Sequence, residues 1–221
     1  TLDALGAGRV LYFSGVDGDV ANLTIQNGNA SDGDGGGIYA SRAITLTQVS
    51  AYLNMAQIEG GGLYATGLAA ISYSKFISNS AGSIPGAYGS GGGAYIKDSA
   101  VIQGSQFEQN QSGWNGGGVA VVTGTTIISD TAFLKNTTVN SGGGAHVNRG
   151  AAQVVNSLFT NNLVTDYLGG GFLFGGDVLT MTDTSFYSNT ANDTGGGALS
   201  AVWSVATVIG GRFQGNVANT R

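Results

Sequence analysis

Apolar and polar residues alternate in short runs along this chain, and the runs return in the same order about every 26 residues. Aligned on a recurring phenylalanine, the residue five places before it is Ile71, Ile102, Ile128, Val154, Met181 or Val208, and the residue seven places before it is Ala69, Ala100, Thr126, Ala152, Leu179 or Ala206. Alternate positions share one face of a strand, so this run predicts a half-buried β-strand. Two places before the phenylalanine stand Ser74, Ser105, Thr131, Ser157, Thr184 and Gly211, small residues that let the chain turn before the ring points inward. The phenylalanine opens a Phe-x-x-Asn phrase: Phe76 with Asn79, Phe107 with Asn110, Phe133 with Asn136, Phe159 with Asn162, Phe186 with Asn189 and Phe213 with Asn216. The second repeat carries Tyr52 and Met55 in those places.

Glycine triplets punctuate the pattern at 35–37, 60–62, 91–93, 116–118, 142–144, 169–171 and 195–197. After each comes another run, opening on Ile38, Leu63, Ala94, Val119, Ala145, Phe172 or Ala198, with Ala40, Ala65, Ile96, Val121, Val147, Phe174 or Ser200 two places on. A repeat is thus read as three short strands joined by corners. Such strands make no stable sheet within one repeat, but stacked coils pair each strand with its equivalents above and below at about 4.8 Å. The pattern predicts an all-β chain, a right-handed single-stranded parallel β-helix of about eight coils and some 40 Å, spanning 1–221 as one domain. Inside it the phenylalanines form a stack, each contributing roughly 1.5–3 kcal/mol by burial. The asparagines bond backbone at a corner and tolerate the left-handed conformation there, while the triplets supply positive φ and close approach between coils.

Composition narrows the classes. Forty glycines with one proline exclude collagen, and 42% hydrophobic residues with only 10% charged exclude a disordered acidic tail. The net charge is −5, with three lysines and five arginines scattered along the chain, so no basic stripe is present to bind nucleic acid. No apolar run approaches the ~18 residues of a membrane-spanning helix. The first residues, TLDALGAGRV, lack the regions of a signal peptide, so an export signal is expected to have been removed or to lie outside this segment. The absence of cysteine decides nothing about compartment.

The phrases GGGAYI…FEQN, GGGVAV…FLKN, GGGAHV…FTNN and GGGALS…FQGN resemble the repeats of chlamydial-type polymorphic outer-membrane proteins and of bacterial surface β-helix proteins that share them. The opening, with Ile25-Gln26-Asn27 where a first coil ends, is similar to the start of such proteins, and the resemblance covers nearly the whole chain. It implies an extracellular or cell-surface segment of a longer protein with an adhesive or structural role and no catalytic activity, contacting surface proteins, glycans or copies of itself. The last repeat stops where another triplet is due. The strand edges there are a template for another chain, so end-to-end stacking is a further expectation.

The candidate chemistry is sparse. The second residue after each triplet, which alternation turns outward, is Tyr39, Tyr64, Tyr95, Ala120, His146, Leu173 or Leu199, a candidate contact strip able to stack sugar rings or bury itself against a partner. The longest insertion, 78–90 with Pro85 and Tyr88, enters just before Tyr95 and is expected either to cover the strip or to leave it for binding. Three places before the phenylalanine, Asp130 and Asp183 lie two coils apart, about 9.6 Å, near the upper limit for an inverting glycosidase pair. That makes a polysaccharide-cleaving or polysaccharide-binding β-helix the alternative, against a ladder of turn residues as the plainer reading. Arg42, Lys97 and Arg149 fall in one column but in non-adjacent coils, with Thr66 and Thr123 between, and are read as solubilising a corner. Asp32 and Asp34 are weak candidates for an ion and otherwise turn residues. His146, the single histidine, gives no zinc site, and no cofactor is expected. Threonines at Thr45, Thr47, Thr180 and Thr182 begin an ice-binding pattern that Ser72/Ser74, Gln103/Ser105 and Val155/Ser157 do not sustain.

Overall fold

A computed structural model describes residues 1–82, 88–193 and 195–219. All regular structure among them is β, and each strand pairs in parallel with its equivalents in the adjacent repeats, those of the end coils on one side only. Eight coils stack into a solenoid, and a two-residue strand at Leu2–Asp3 adds to one of its sheets. The middle coil is typical: Val119–Val121 follows a triplet, Thr126–Ser129 and Ala132–Leu134 come next, and the two-residue strand Thr137–Thr138 closes the turn. The fourth strand escapes a reading from alternation, because two residues contain no period.

The core is a set of columns. Phe76, Phe107, Phe133, Phe159, Phe186 and Phe213 stack ring on ring, with centroids 4.6 to 5.2 Å apart and planes within 15° of parallel. These spacings follow the ~4.8 Å between paired strands. The first five rings are fully buried, whereas Phe213 on the outermost coil is 46% exposed. Ile71, Ile102, Ile128, Val154 and Met181 form a parallel aliphatic column beside them.

In the second repeat the Phe-x-x-Asn register differs from the sequence reading. Ala51 pairs with Phe76, and Asn54 holds the asparagine position, bonding Asn79 as the later asparagines bond each other. Tyr52 and Met55 stand one place later and point outward. Spacing from the triplet varies by a residue between repeats, so counting alone misplaces a repeat that lacks its ring.

Polar groups inside are paired along the stack. Each asparagine's Oδ1 accepts the backbone N–H of the asparagine in the preceding coil, and its Nδ2 donates to that coil's carbonyl at the phenylalanine position. The ladder continues to the last coil. Asn189 accepts the Asn162 N–H at 3.0 Å and in turn donates its own N–H to Asn216 at 3.0 Å, while the Asn216 amide donates to the Phe186 carbonyl at 2.8 Å. Asn189 is fully buried, whereas Asn216 shares the outermost coil with Phe213 and is only partly covered. The buried Ser74, Ser105, Thr131, Ser157 and Thr184 form a second ladder at the preceding corner, each hydroxyl accepting an N–H from one coil back.

The left-handed residue is not the asparagine, as the sequence suggested, but its predecessor. Ser78, Gln109, Lys135, Asn161 and Ser188 have φ of 52 to 55°, and Gly215 before Asn216 has φ 66°. Asn79, Asn110, Asn136, Asn162, Asn189 and Asn216 themselves are absent from the positive-φ residues, because their side chains serve the ladder from ordinary backbone. That ladder fixes the preceding residue's conformation even for a lysine, which gains nothing locally from it.

The triplet 116–118 shows why three glycines recur. Gly116 has φ +61°, and a Cβ at Gly117 would lie 2.5 Å from the carbonyl oxygen of Gly143 in the next coil. A Cβ at Gly118 would meet the Gly144 carbonyl oxygen at 2.4 Å. One glycine turns the chain, and the other two let adjacent coils approach.

Candidate functional site

The outward column after the triplets is extended at one end and shortened at the other. Tyr12 pairs with Tyr39, and the order runs Tyr12, Tyr39, Tyr64, Tyr95, Ala120, His146, Leu173 and Ser200. Leu199, expected in this strip, instead pairs with Phe172 and packs against the core. The last triplet sits one residue out of register: Gly170 and Phe172 bond to Gly196 and Ala198, so Gly196, Gly197 and Ala198 take the triplet's places.

Alternation turns this column away from the core without exposing all of it. Tyr12 is exposed, Tyr39 and Tyr95 are partly covered, and Tyr64, Ala120, His146 and Leu173 are buried. The four tyrosine rings stack at 4.8, 5.2 and 5.7 Å. Arg9 lies over Tyr12 and Tyr39 at 5.9 and 5.8 Å, anchored through Nε to the Asp34 carbonyl and beside Asp32 at 3.8 Å. Lys97 lies 5.3 Å over Tyr64. These contacts are cation–π in geometry.

Beyond Tyr95 the face opens into a depression of about 230 Å³ lined by Glu59, Ser90, Tyr95, Trp114, Asn115, Ala120, Val121, Val122, His146 and Asn148. The residues before successive triplets, Glu59, Ser90 and Asn115, form one wall. Ser90 donates its N–H to the Glu59 carboxylate, and Asn140 donates to the Asn115 side-chain oxygen at 2.8 Å. Trp114 stands beside them, held edge-on by Tyr88 at 4.9 Å. Pro85 lies outside the described residues, whereas Tyr88 packs on the Trp114 ring and the Gly89 carbonyl accepts the Trp114 backbone N–H at 2.9 Å.

Burial sets the electrostatics here. It pushes the Glu59 carboxyl up to about 7 against the lowering effect of the Ser90 hydrogen bond, and it pushes the Tyr95 hydroxyl up to about 12, with Glu59 adding to the effect. Burial alone brings His146 down to about 4, so its ring is neutral at physiological pH. Among the described residues its Nδ1 has no hydrogen-bond partner.

The other candidates lie elsewhere. Asp130 and Asp183 are exposed corner residues with φ of 51 and 49°, on one ladder with Tyr73, Gly104, Asn156 and Gly210. Asn156 donates to Asp130 at 2.6 Å, the ladder bond of turn residues. Asp34 accepts the Glu59 N–H at 3.0 Å, and Arg42 bonds Asp17 at 3.2 Å. Among the described residues no group of three or more His, Cys, Asp or Glu is placed to hold a metal ion. Glu59, Trp114, Asn115 and Tyr12 escaped the sequence reading. The signal for Glu59 and Asn115 was the polar run of residues preceding the triplets. Compared with protein-family models, curated proteins and solved structures, the chain matches none.

Proposed function

We propose that this chain is a non-enzymatic β-solenoid of the bacterial cell surface or extracellular space, of the kind its repeats resemble, with an adhesive role exercised through the face that carries Tyr95, Trp114 and His146. The observation that carries the reading is the depression beside Tyr95, where aromatic rings and hydrogen-bonding side chains meet. Aromatic rings there contribute contact area at low entropic cost, and the amides and carboxyl orient a partner. The corner position of Asp130 and Asp183, with Asn156 in the coil between them and bonded to Asp130, favours this reading over polysaccharide cleavage.

The test is adhesion of the purified chain to glycan-coated and protein-coated surfaces. A Tyr95→Ala, Trp114→Ala double variant is expected to lose at least about five-fold in retained protein, while Asp130→Asn, Asp183→Asn matches the parent. Equal retention of both variants and the parent removes the assignment to this face. Polysaccharide cleavage that is abolished by Asp130→Asn, Asp183→Asn replaces it with the enzymatic alternative.

A further inference from the structure

The tyrosine column contains a gap of definite size. Tyr64 and Tyr95 are parallel within 7°, so one face of Tyr95 is taken by Tyr64 and the other looks along the stack toward the next coil. That coil supplies only the methyl group of Ala120, and the next flat side chain is His146, one coil further. Two coil spacings amount to about 9.6 Å, which leaves room for one more ring at the column's own spacing. The cavity agrees in size: about 230 Å³, below the ~300 Å³ at which pockets begin to take drug-sized molecules.

The edges of this gap are polar in a way that an aromatic side chain would not satisfy. His146 is buried and neutral, and it offers the gap a flat ring, while its unpartnered Nδ1 is turned away from the accessible surface. Asn115 has its oxygen occupied by Asn140, leaving its amide hydrogens to donate. Glu59 has one oxygen on Ser90 and a second to offer. A carboxyl group on the wall disfavours an anionic ligand, and a flat apolar group cannot use the two hydrogen-bonding neighbours Asn115 and Glu59.

From this geometry we infer that the space over Ala120 is a subsite for one neutral pyranose ring of a glycan, sandwiched between Tyr95 and His146, with Trp114 as a side wall and its hydroxyls bonded by Asn115 and Glu59. The inference rests on the reading of this face as the contact surface and names the group that it contacts.

The chain has two tryptophans, and Trp203 is 98% exposed, so Trp203→Phe leaves Trp114 as the sole indole reporter. Titration of that variant with the methyl pyranosides of glucose, galactose, mannose and N-acetylglucosamine is expected to give a saturable emission change for at least one, with a dissociation constant on the order of millimolar for so small a ligand. Ala120→Tyr completes the column with the side chain its neighbours already carry and should weaken that binding at least ten-fold at unchanged melting temperature. Ala120→Leu, a smaller filler, serves if the tyrosine variant does not fold. Undiminished sugar binding by both fillers overturns the subsite while leaving the adhesive face in place. Absence of any sugar response, with protein-coated surfaces still retained through Tyr95 and Trp114, also overturns it; loss of all adhesion overturns both.

Discussion

The side-chain oxygen of Asn136 accepts both the backbone and the side-chain N–H of Asn110, one coil away, each at 3.0 Å. Its own Nδ2 donates to the Phe107 carbonyl at 2.8 Å and to Asn162 at 3.0 Å. One buried amide therefore closes bonds to two neighbouring coils. Asn136→Ala removes the side chain and leaves the Asn110 N–H and the Phe107 carbonyl without partners in the interior. The expected cost is about 3–5 kcal/mol, read as a lowered urea midpoint. Asn136→Asp replaces the donor with a second acceptor and should be no better at pH 7, recovering in part when acid protonates it. The same truncation at Asn216, which is only partly covered and bonds one neighbouring coil, should cost less than half as much.

Glu59 and His146 titrate against one another in their effect on stability. The folded state holds the Glu59 proton up to about pH 7, above its ordinary 4.5, so between those values the folded chain binds more protons than the unfolded one and stability falls as pH rises. The folded state keeps His146 neutral down to about 4, below its ordinary 6.5, so between those values the unfolded chain binds more protons and stability rises with pH. The effects are about 1–2 kcal/mol for the half-buried Glu59, after solvent screening, and about 2–3 kcal/mol for His146. Wild type should vary little across the shared window. Glu59→Gln should gain stability steadily from pH 4 to 6.5, and His146→Leu should lose it from pH 4.5 to 7; parallel melting curves for the three proteins would refute this.

Two glycines separate steric need from mere occurrence. A Cβ at Gly117 would stand 2.5 Å from the Gly143 oxygen and 2.6 Å from the Thr137 oxygen, both backbone atoms, whereas one at Gly8 meets nothing within 4 Å. Gly117→Ala is expected to cost about 3 kcal/mol or more by forcing coils apart. Gly8→Ala should be neutral or stabilise by a few tenths of a kcal/mol through the unfolded chain. Thermal denaturation of the pair checks both.

At the corner occupied by Asp130 the left-handed backbone is the constraint, not the carboxylate. Asp130→Asn keeps a residue at ease at φ 51° and should change stability by less than about 0.5 kcal/mol. Asp130→Val puts a β-branched side chain there and should cost about 1–2 kcal/mol. Equal losses in the two variants, measured by urea denaturation, would show that charge and not conformation governs the position.

The ladder was legible wherever the repeat announces itself with a ring, from Asn79 through Asn189 to Asn216, and it slipped by one residue where it does not. Ala51 and Asn54 were hidden because the spacing from triplet to ring varies and an alanine carries no mark of its place. Leu199 was misplaced for a related reason: the last Gly-Gly-Gly looks like the others, but Gly-Gly-Ala at 196–198 is what pairs. Apart from the polar residues that precede the triplets, the Glu59–Trp114–His146 depression had no local signal. Its members lie in four successive coils, 25 to 31 residues apart by repeat length, and only Ala120, a residue without chemistry, marks where the space falls.

The sequence by itself determined the period, the inward columns and the parallel pairing, because in a solenoid each residue's neighbours are its own equivalents one repeat away and one-dimensional spacing is already contact information. Tertiary structure alone decided which outward positions are covered and which border a cavity. Those outcomes depend on the relative sizes of side chains meeting from different coils and corners, and no single repeat contains them.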